Sequence, residues 1–341
     1  MSSMKPTLPS ISILVMSYNQ EAFIGACVDT VLSQEYDGEL EFIFCDDNSS
    51  DSTFKIIEEK VYHYTGSRRV VTHKAETNGK VATNMNIAVK LAKYDWLMRV
   101  DGDDILHPDR TRLSALGILQ HPEAVTVAGG LIPFSDKITP VTNPKAEDII
   151  FKSYHYADFT EYEAPRGLTW WGGTMCMNRR IFEVFGDLHK DCSILDDTVF
   201  ATRSLMLGAI IIAENATFLY YRRHESNISS AGDKPGNSIA ELIKSDSAAR
   251  NYYLRGIPAH DIILDEIKNY TAKHSEYGIL YTYFKNRFAE LKRQAFFWKK
   301  SWSERIADAK IQGPIWRKIP WAMRVMCPFT YALVAKYMKK S

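Results

Sequence analysis

The sequence predicts an α/β fold, with a mostly parallel sheet flanked by helices and a helical appendage at the C-terminal end. Two observations carry this. Short apolar, β-branched runs alternate with segments of helical spacing four times before residue 120, and beyond Ala240 the chain turns helical, aromatic and increasingly basic. Alternation of this kind buries strands on both faces and favours parallel pairing.

The first strand is expected over Ile11–Met16, bounded by Pro9 and by Ser17-Tyr18-Asn19. Glu21–Ser33 then places Ala22, Ile24, Ala26, Val28, Val31 and Leu32 at roughly helical spacing. The same unit recurs as Glu41–Cys45 with Ser49–Tyr62, and as Arg69–Thr72 with Lys80–Ala92. It recurs again as Trp96–Val100 with Pro108–Leu119, where Pro108 suits a first helical turn. From about Pro122 to Ser230 the rhythm loosens, and this stretch is expected to be the second half of the same domain. Glycines and serines around Ser229–Ser238 mark a linker.

A chain of 341 residues, 45% hydrophobic, can bury one substantial core and a smaller appendage. Its five cysteines are scattered, without a C-x-x-C pair, which argues against a disulfide framework or a zinc site and for a reducing compartment. The first ten residues hold no signal-like apolar run, and no stretch of 18 apolar residues follows, so a cytoplasmic location is expected. The net charge of +1 conceals an asymmetry: Lys292–Ser341 carries twelve Lys/Arg against two acids.

In open α/β sheets, ligands sit beyond the carboxyl ends of the strands. The residues at those ends are polar here: Ser17-Tyr18-Asn19, Asp46-Asp47-Asn48-Ser49-Ser50-Asp51 and Asp101-Gly102-Asp103-Asp104. Carboxylates one residue apart at a strand end can share a hard divalent cation, and magnesium or manganese would take phosphate oxygens as further ligands. An Asp-Gly turn with solvated carboxylates has the same sequence. Asp46 and Asp47 can accept from a base N–H or a ribose hydroxyl, or can serve with Ser49, Ser50 and Asp51 at the start of a helix. Lys80 follows Asn78-Gly79 at a helix start, where a phosphate or base contact is possible.

Asp196-Asp197 precedes a helical stretch and offers either a general base or a helix-terminal pair. Arg222, Arg223 and His224 could neutralise phosphate or complete a metal shell. Trp170 and Trp171 offer either a platform for a sugar ring or core packing.

In this order the motifs resemble those of the family 2 inverting glycosyltransferases, which have the GT-A fold. The similarity covers about Ile11 to Ser230. Ile11–Asn19 is similar to the family's opening strand with its Tyr-Asn signature, and Glu41–Thr53 to its second-strand motif. Arg99–Asp104 resembles the Asp-x-Asp signature, Gly172-Gly173 the acceptor-side glycines, Asp196-Asp197 the acidic base motif, and Tyr220–Ser226 the Tyr-Arg-x-His-x-Ser closing segment.

The resemblance implies a catalytic domain over residues 1–235, its nucleotide-binding half ending near 105 and its acceptor-binding half spanning 106–235. Residues 236–341 form the helical, basic-aromatic region. It implies a donor site of Tyr18, Asn19, Asp46, Asp47, Lys80, Asn84, Asp101, Arg222 and Arg223. An acceptor site would comprise Trp170, Trp171, Gly172 and Gly173. Mn2+ or Mg2+ would be held by Asp101, Asp103, Asp104 and His224, and Asp197 would be the base in a single in-line displacement. Two departures stand out. The base motif reads Asp-Asp where Glu-Asp is usual, which leaves Asp196 as a rival, and Thr83 replaces a frequent arginine before Asn84.

The implied partners are a nucleotide-sugar donor, with UDP favoured, and a saccharide or lipid-linked saccharide acceptor. The tail interleaves Phe296, Phe297, Trp298, Trp302, Trp316, Trp321, Phe329 and Tyr331 with lysines and arginines, as at an anionic membrane surface. The composition fits either peripheral attachment to the inner face of the cytoplasmic membrane or a helical appendage whose aromatics pack on the catalytic domain. Nucleic acid is not an expected partner, although a non-catalytic nucleotide or nucleic-acid binder is the rival class; that reading leaves the acidic crevice unexplained. A dinucleotide-dependent oxidoreductase would need G-x-G-x-x-G after the first strand, which is lacking.

Overall fold

The computed structural model describes residues 7–168, 170–224, 227 and 239–296, with 239–253 and 293–296 described by backbone alone. Two compact units emerge. One comprises the chain up to His224 together with Pro258–Lys285, and the other comprises Glu225–Ile257 and Asn286–Ser341. The predicted linker and the basic-aromatic tail beyond Phe296 lie outside the described residues. Among the described residues, no helix is long and apolar enough to cross a membrane.

The expected strand–helix units form β1 (Ile11–Ser17), α1 (Ile24–Leu32), β2 (Leu40–Asp46), α2 (Thr53–Tyr62), β3 (Arg69–Lys74), α3 (Lys80–Leu91) and β4 (Trp96–Asp101). After these come β5 (Ile105–Leu106), α4 (Arg110–Gln120), β6 (Ala124–Phe134), β7 (Phe151–Tyr154), β8 (Cys176–Asn178), α5 (Arg180–Phe185), α6 (Asp196–Leu207) and β9 (Ala209–Arg222). Helices α7 (Ile239–Thr271) and α8 (Gly278–Phe296) complete the order, and their segments within Pro258–Lys285 belong to the first unit.

Strands β3, β2, β1 and β4 lie side by side and parallel, as the alternation predicts. All seven residues of β1 and of β2 are buried, which explains why apolar residues occupy both faces of these strands. Ile13 and Val15 pack with Ile24, Val28 and Val31 of α1, while α3 contacts the same two strands. The second half of the sheet is mixed. Strand β8 is antiparallel to both β4 and β6, β6 is parallel to β9, and β5 and β7 run antiparallel to β9. Helices cover both faces here too. Leu113 of α4 joins Val127, Ile211 and Phe218, while Ser204 of α6 meets Thr126, the neighbour of Val127 that points the other way, at 2.7 Å between hydroxyls.

Helices α1, α2 and α4 begin two to four residues later than their sequence patterns suggest. The intervening polar residues serve the loops instead. The backbone N–H of Gln20 donates to Thr53 Oγ1 at 2.7 Å, and that of Glu21 donates to Asp51 Oδ2 at 3.1 Å, so the β1 and β2 loops hold each other. Cys27, Cys45, Cys176 and Cys192 are buried free thiols.

Candidate active site

Strand register sets the site. Ser17 lies opposite Asp46 and Met16 opposite Asp101, so β1, β2 and β4 end at one edge of the sheet. That edge gathers Tyr18, Asp47 and Asp101–Asp104, as expected from parallel pairing. Two antiparallel strands bring the rest. Because β8 runs against β4, the loop before it, Trp171–Thr174, returns to the end of β4. Because β5 pairs with the end of β9, Ile105 opposite Tyr220, Arg222–His224 arrive beside Asp103 and Asp104.

The residues expected on the nucleotide side differ in availability. Tyr18 is 47% exposed at the end of β1. Asn19, with φ of 50°, accepts from the Ser50 N–H at 2.9 Å and braces the two loops. Asp47 accepts from the Gly79 N–H at 2.8 Å, and burial raises its carboxyl above the ordinary range. Lys80 is exposed at the first position of α3, with φ of 64°. Asp46 and Asn84 lie inside. Asp46 accepts from the N–H and hydroxyl of Ser49 at 2.8 and 2.5 Å, and Asn84 donates to the Cys45 carbonyl at 3.0 Å, tying α3 to β2.

In the Asp-Gly-Asp-Asp turn each acid has a distinct setting. Asp101 Oδ1 accepts from Arg99 Nη2 at 2.9 Å. Asp103 Oδ2 lies 2.9 Å from His224 Nε2. Asp104 is 1% exposed; its Oδ1 accepts from the Arg222 N–H at 2.9 Å, and its Oδ2 is buried without a hydrogen-bond partner. Burial, then the charges of Asp103 and Asp101, push the Asp104 carboxyl well above its ordinary value. Gly102 allows the loops to close: a Cβ there would stand 2.6 Å from Gln20 Oε1 and 2.8 Å from Ile24 Cδ1. The cationic segment is seated on Phe23. His224 stacks on its ring at 4.5 Å, and the Arg222 guanidinium lies 5.1 Å from that ring and 4.6 Å from Phe134. Arg223 is exposed, and its N–H donates to the Phe134 carbonyl at 2.7 Å.

The second acidic pair opens α6, where the helix dipole favours negative charge. Asp196 is buried, with Oδ2 3.1 Å from Arg99 Nη1. Asp197 is half-buried, and its Oδ1 accepts from the Thr198 N–H at 2.7 Å. Burial, followed by the charge of Asp196, pushes the Asp197 carboxyl up to about 7, against an opposing pull from Arg99. Arg99 itself stays protonated against its burial, because Asp101 and Asp196 flank it. A Cβ on Gly172 would collide with Arg99 Nη1, and one on Gly173 would stand 3.5 Å from Oδ2 of both Asp101 and Asp104. Trp171 is 52% exposed, whereas Trp170 is half-buried, with its ring 6.4 Å from Phe284.

Neither Arg99 nor Phe23 is among the site residues expected from the sequence. A cation interrupting the apolar run Trp96–Val100 was a signal for the first, because a charge inside a buried strand needs a partner. Phe23 gave none, since a lone aromatic at a helix start reads as packing.

The fold and the site together define an α/β protein with carboxylates from two directions at one sheet edge. The family model described as Glycosyl transferase family 2 matches residues 12–185, half of the chain, and the chain belongs to this family. Among curated relatives, it is 30% identical over 128 residues to the putative glycosyltransferase EpsE of Bacillus subtilis (strain 168), covering 38% of this chain and 45% of that one. The chain spans less than half the length of the first curated relatives it matches. Among solved structures, S. aureus TarS 1-349 in complex with UDP-GlcNAc superposes with a TM-score of 0.53 at 17% identity, over 95% of this chain and 81% of that one. The mannosyltransferase PcManGT of Pyrobaculum calidifontis, in complex with GDP-Man and Mn2+, gives 0.50 at 14% identity, over 100% and 92%. At these identities the likeness is one of fold, and that fold is GT-A.

Proposed function

We propose that the chain is an inverting glycosyltransferase that moves a sugar from a nucleoside diphosphate donor, a UDP-sugar, to a hydroxyl of a saccharide or lipid-linked saccharide. The observation that carries this reading is that one buried guanidinium, Arg99, brings the Asp101–Asp104 cluster and the Asp196-Asp197 pair together, 2.9 Å from Asp101 Oδ1 and 3.1 Å from Asp196 Oδ2. Family membership supports transfer chemistry, and the nucleotide sugars named with the TarS and PcManGT structures support the donor class.

In the proposed reaction Asp197 accepts the proton of the acceptor hydroxyl, whose oxygen forms a bond to the anomeric carbon. The bond from that carbon to the diphosphate oxygen breaks on the opposite face, and configuration inverts. A pKa near 7 suits a base at neutral pH, basic enough to take the proton and still about half ionised. Asp196, buried against Arg99, is less available for that role. Tyr18 and Asp47 serve the base and ribose, while Arg222 and His224, braced on Phe23, face the diphosphate. Trp171, exposed beside Gly172, serves the acceptor.

Among the described residues no three His, Cys, Asp or Glu side chains form a ready cation cage. The donor set nonetheless suits a hard cation, because Asp104 Oδ2 is buried without a hydrogen-bond partner and Asp103 Oδ2 faces His224. Asp101, Asp103, Asp104 and His224 would hold Mn2+ or Mg2+, with phosphate oxygens and water completing the shell. When bound, the cation would neutralise charge on the departing diphosphate. Attachment to a membrane surface belongs to the same proposal and is supported by the composition of the tail alone.

The test is diphosphate release from a panel of sugar nucleotides with MnCl2, MgCl2 or chelator. Cation-dependent hydrolysis of one donor, lost in Asp103→Ala, is the expected result. Absence of both hydrolysis and cation-dependent binding for every donor would overturn the reading in favour of a non-catalytic binder.

A further inference from the structure

Arg99 lies inside β4, 6% exposed, where an apolar side chain would be the ordinary choice. Its guanidinium joins three segments far apart in sequence. Nη2 is 2.9 Å from Asp101 Oδ1 at the end of β4, and Nη1 is 3.1 Å from Asp196 Oδ2 at the start of α6. The third segment is the loop before β8, where Gly172 leaves the space that Nη1 occupies and a Cβ would collide with it. The strand beneath is anchored as well: the Arg99 carbonyl accepts from Nη2 of the fully buried Arg110 at 2.8 Å.

We propose that Arg99 is a positioning residue for sugar transfer: its guanidinium fixes the distance between the Asp101–Asp104 cluster and the Asp196-Asp197 pair, and Gly172 is glycine because Arg99 needs that space. The inference rests on the transferase reading above. A rigid planar fork can hold two carboxylates on separate elements at once, and a lysine, one point charge on a flexible stem, cannot. The same contact explains why Asp196 and Asp197 differ although they are adjacent. Asp196 is ion-paired with Arg99, which ties the first turn of α6 to the end of β4, while Asp197 Oδ1 accepts from the Thr198 N–H instead. A placement error of about 1 Å between reacting groups costs on the order of 100-fold in rate, so a clamp at this junction acts on turnover more than on donor affinity.

A role confined to neutralising buried acids makes different demands. Lysine would then serve nearly as well, and any loss of rate would track loss of stability.

The experiment compares the full chain with Arg99→Lys, Arg99→Ala and Gly172→Ala. Turnover and KM are measured with UDP-glucose, UDP-N-acetylglucosamine and GDP-mannose in MnCl2, alongside UDP affinity and melting temperature. We expect Arg99→Lys to melt close to wild type, to keep KM and UDP affinity within about threefold, and to lose about 100-fold in kcat. Added guanidinium should restore part of the kcat of Arg99→Ala and leave wild type unchanged. Gly172→Ala, which keeps the charge and displaces it, should lose kcat in the same way, and it decides the matter if Arg99→Ala does not fold. Wild-type kcat in Arg99→Lys or in Gly172→Ala overturns the proposal, as does a loss confined to KM. A wild-type chain that consumes none of the donors and binds no UDP removes the transferase reading, and the positioning role falls with it.

Discussion

Asp196 Oδ2 lies 3.1 Å from the Arg99 guanidinium, whereas Asp197, the next residue, places its Oδ1 on the N–H of Thr198 at 2.7 Å. Two adjacent carboxylates thus meet different environments, and the pair that the sequence left as rivals becomes unequal.

The first prediction follows from that inequality. Asp197→Asn should lower transfer by about 100-fold to 10,000-fold, the range for a positioned general base, while leaving UDP binding near wild type. Asp196→Asn should act differently, weakening the clamp on Arg99 without removing the base. Steady-state rates and calorimetric UDP binding on both variants check this; equal loss in the two would reopen the choice of base.

A second prediction concerns pH. The base must be ionised, so kcat should rise with pH through about 7, the value to which burial pushes Asp197. Stability should run the other way. The folded chain holds this proton up to about 7 and an unfolded carboxyl holds it only to about 3.8, so folding takes up a proton between those values. Stability from this group is present below about 3.8 and is lost as pH rises towards 7, by at most about 1.4 kcal/mol per unit. Asp197→Asn should therefore melt higher than wild type at pH 8 and converge with it near pH 4. A constant difference across that range would refute the assignment.

Chelation supplies a third. With EDTA, or in Asp103→Ala, UDP affinity should fall by at least about tenfold, because the acidic cluster then repels the diphosphate instead of sharing a cation with it. Affinity that is indifferent to chelator would argue against any cation at this edge.

Gly102 gives a fourth prediction, which tests the closeness of the loops. A methyl group there must displace Gln20 and Ile24, since a Cβ would stand 2.6 and 2.8 Å from their side-chain atoms. Gly102→Ala should weaken UDP binding while costing about 1–3 kcal/mol of stability, as expected of overpacking. Fluorescence titration with UDP and a urea melt would measure the two effects.

The fifth lies away from the site. Arg203 of α6, 2% exposed, pairs with Glu266 of α7 at 2.8 Å and donates to the Gly186 carbonyl at 2.8 Å. Removing one partner leaves a buried charge unpaired, so Glu266→Ala should destabilise the chain by about 3 kcal/mol. If denaturant unfolding moves by less than about 1 kcal/mol, the contact between α6 and α7 contributes little.

Much of this molecule was legible in its sequence. The mostly apolar runs Ile11–Met16 and Glu41–Cys45, separated by a helical pattern, pointed to parallel strands buried on both faces, and parallel strands end together. The polar residues after them, Tyr18, Asp47 and Asp101–Asp104, therefore had to share one edge of the sheet. That inference needs only the length of the connections and the burial of the strands. The second half was less legible, because β5 is two residues long and β8 three, too short for any periodicity to register. Their antiparallel pairings nevertheless carry Arg222–His224 and Trp171–Gly173 to the site.

Tertiary structure alone decided which polar residues at the sheet edge are left open and which are enclosed to serve the fold. Asp46 and Asp47 are neighbours of one type, yet the first is enclosed by Ser49 and the second is raised in pKa beside Gly79. Asp196 and Asp197 part in the same way. The physical reason is that a carboxylate's role depends on its partners and its solvation, and both are set by elements that packing brings together from distant parts of the chain. Arg99 shows this most directly: its place in an apolar strand was visible in the sequence, but the two carboxylates and the glycine that explain it meet only in the folded protein.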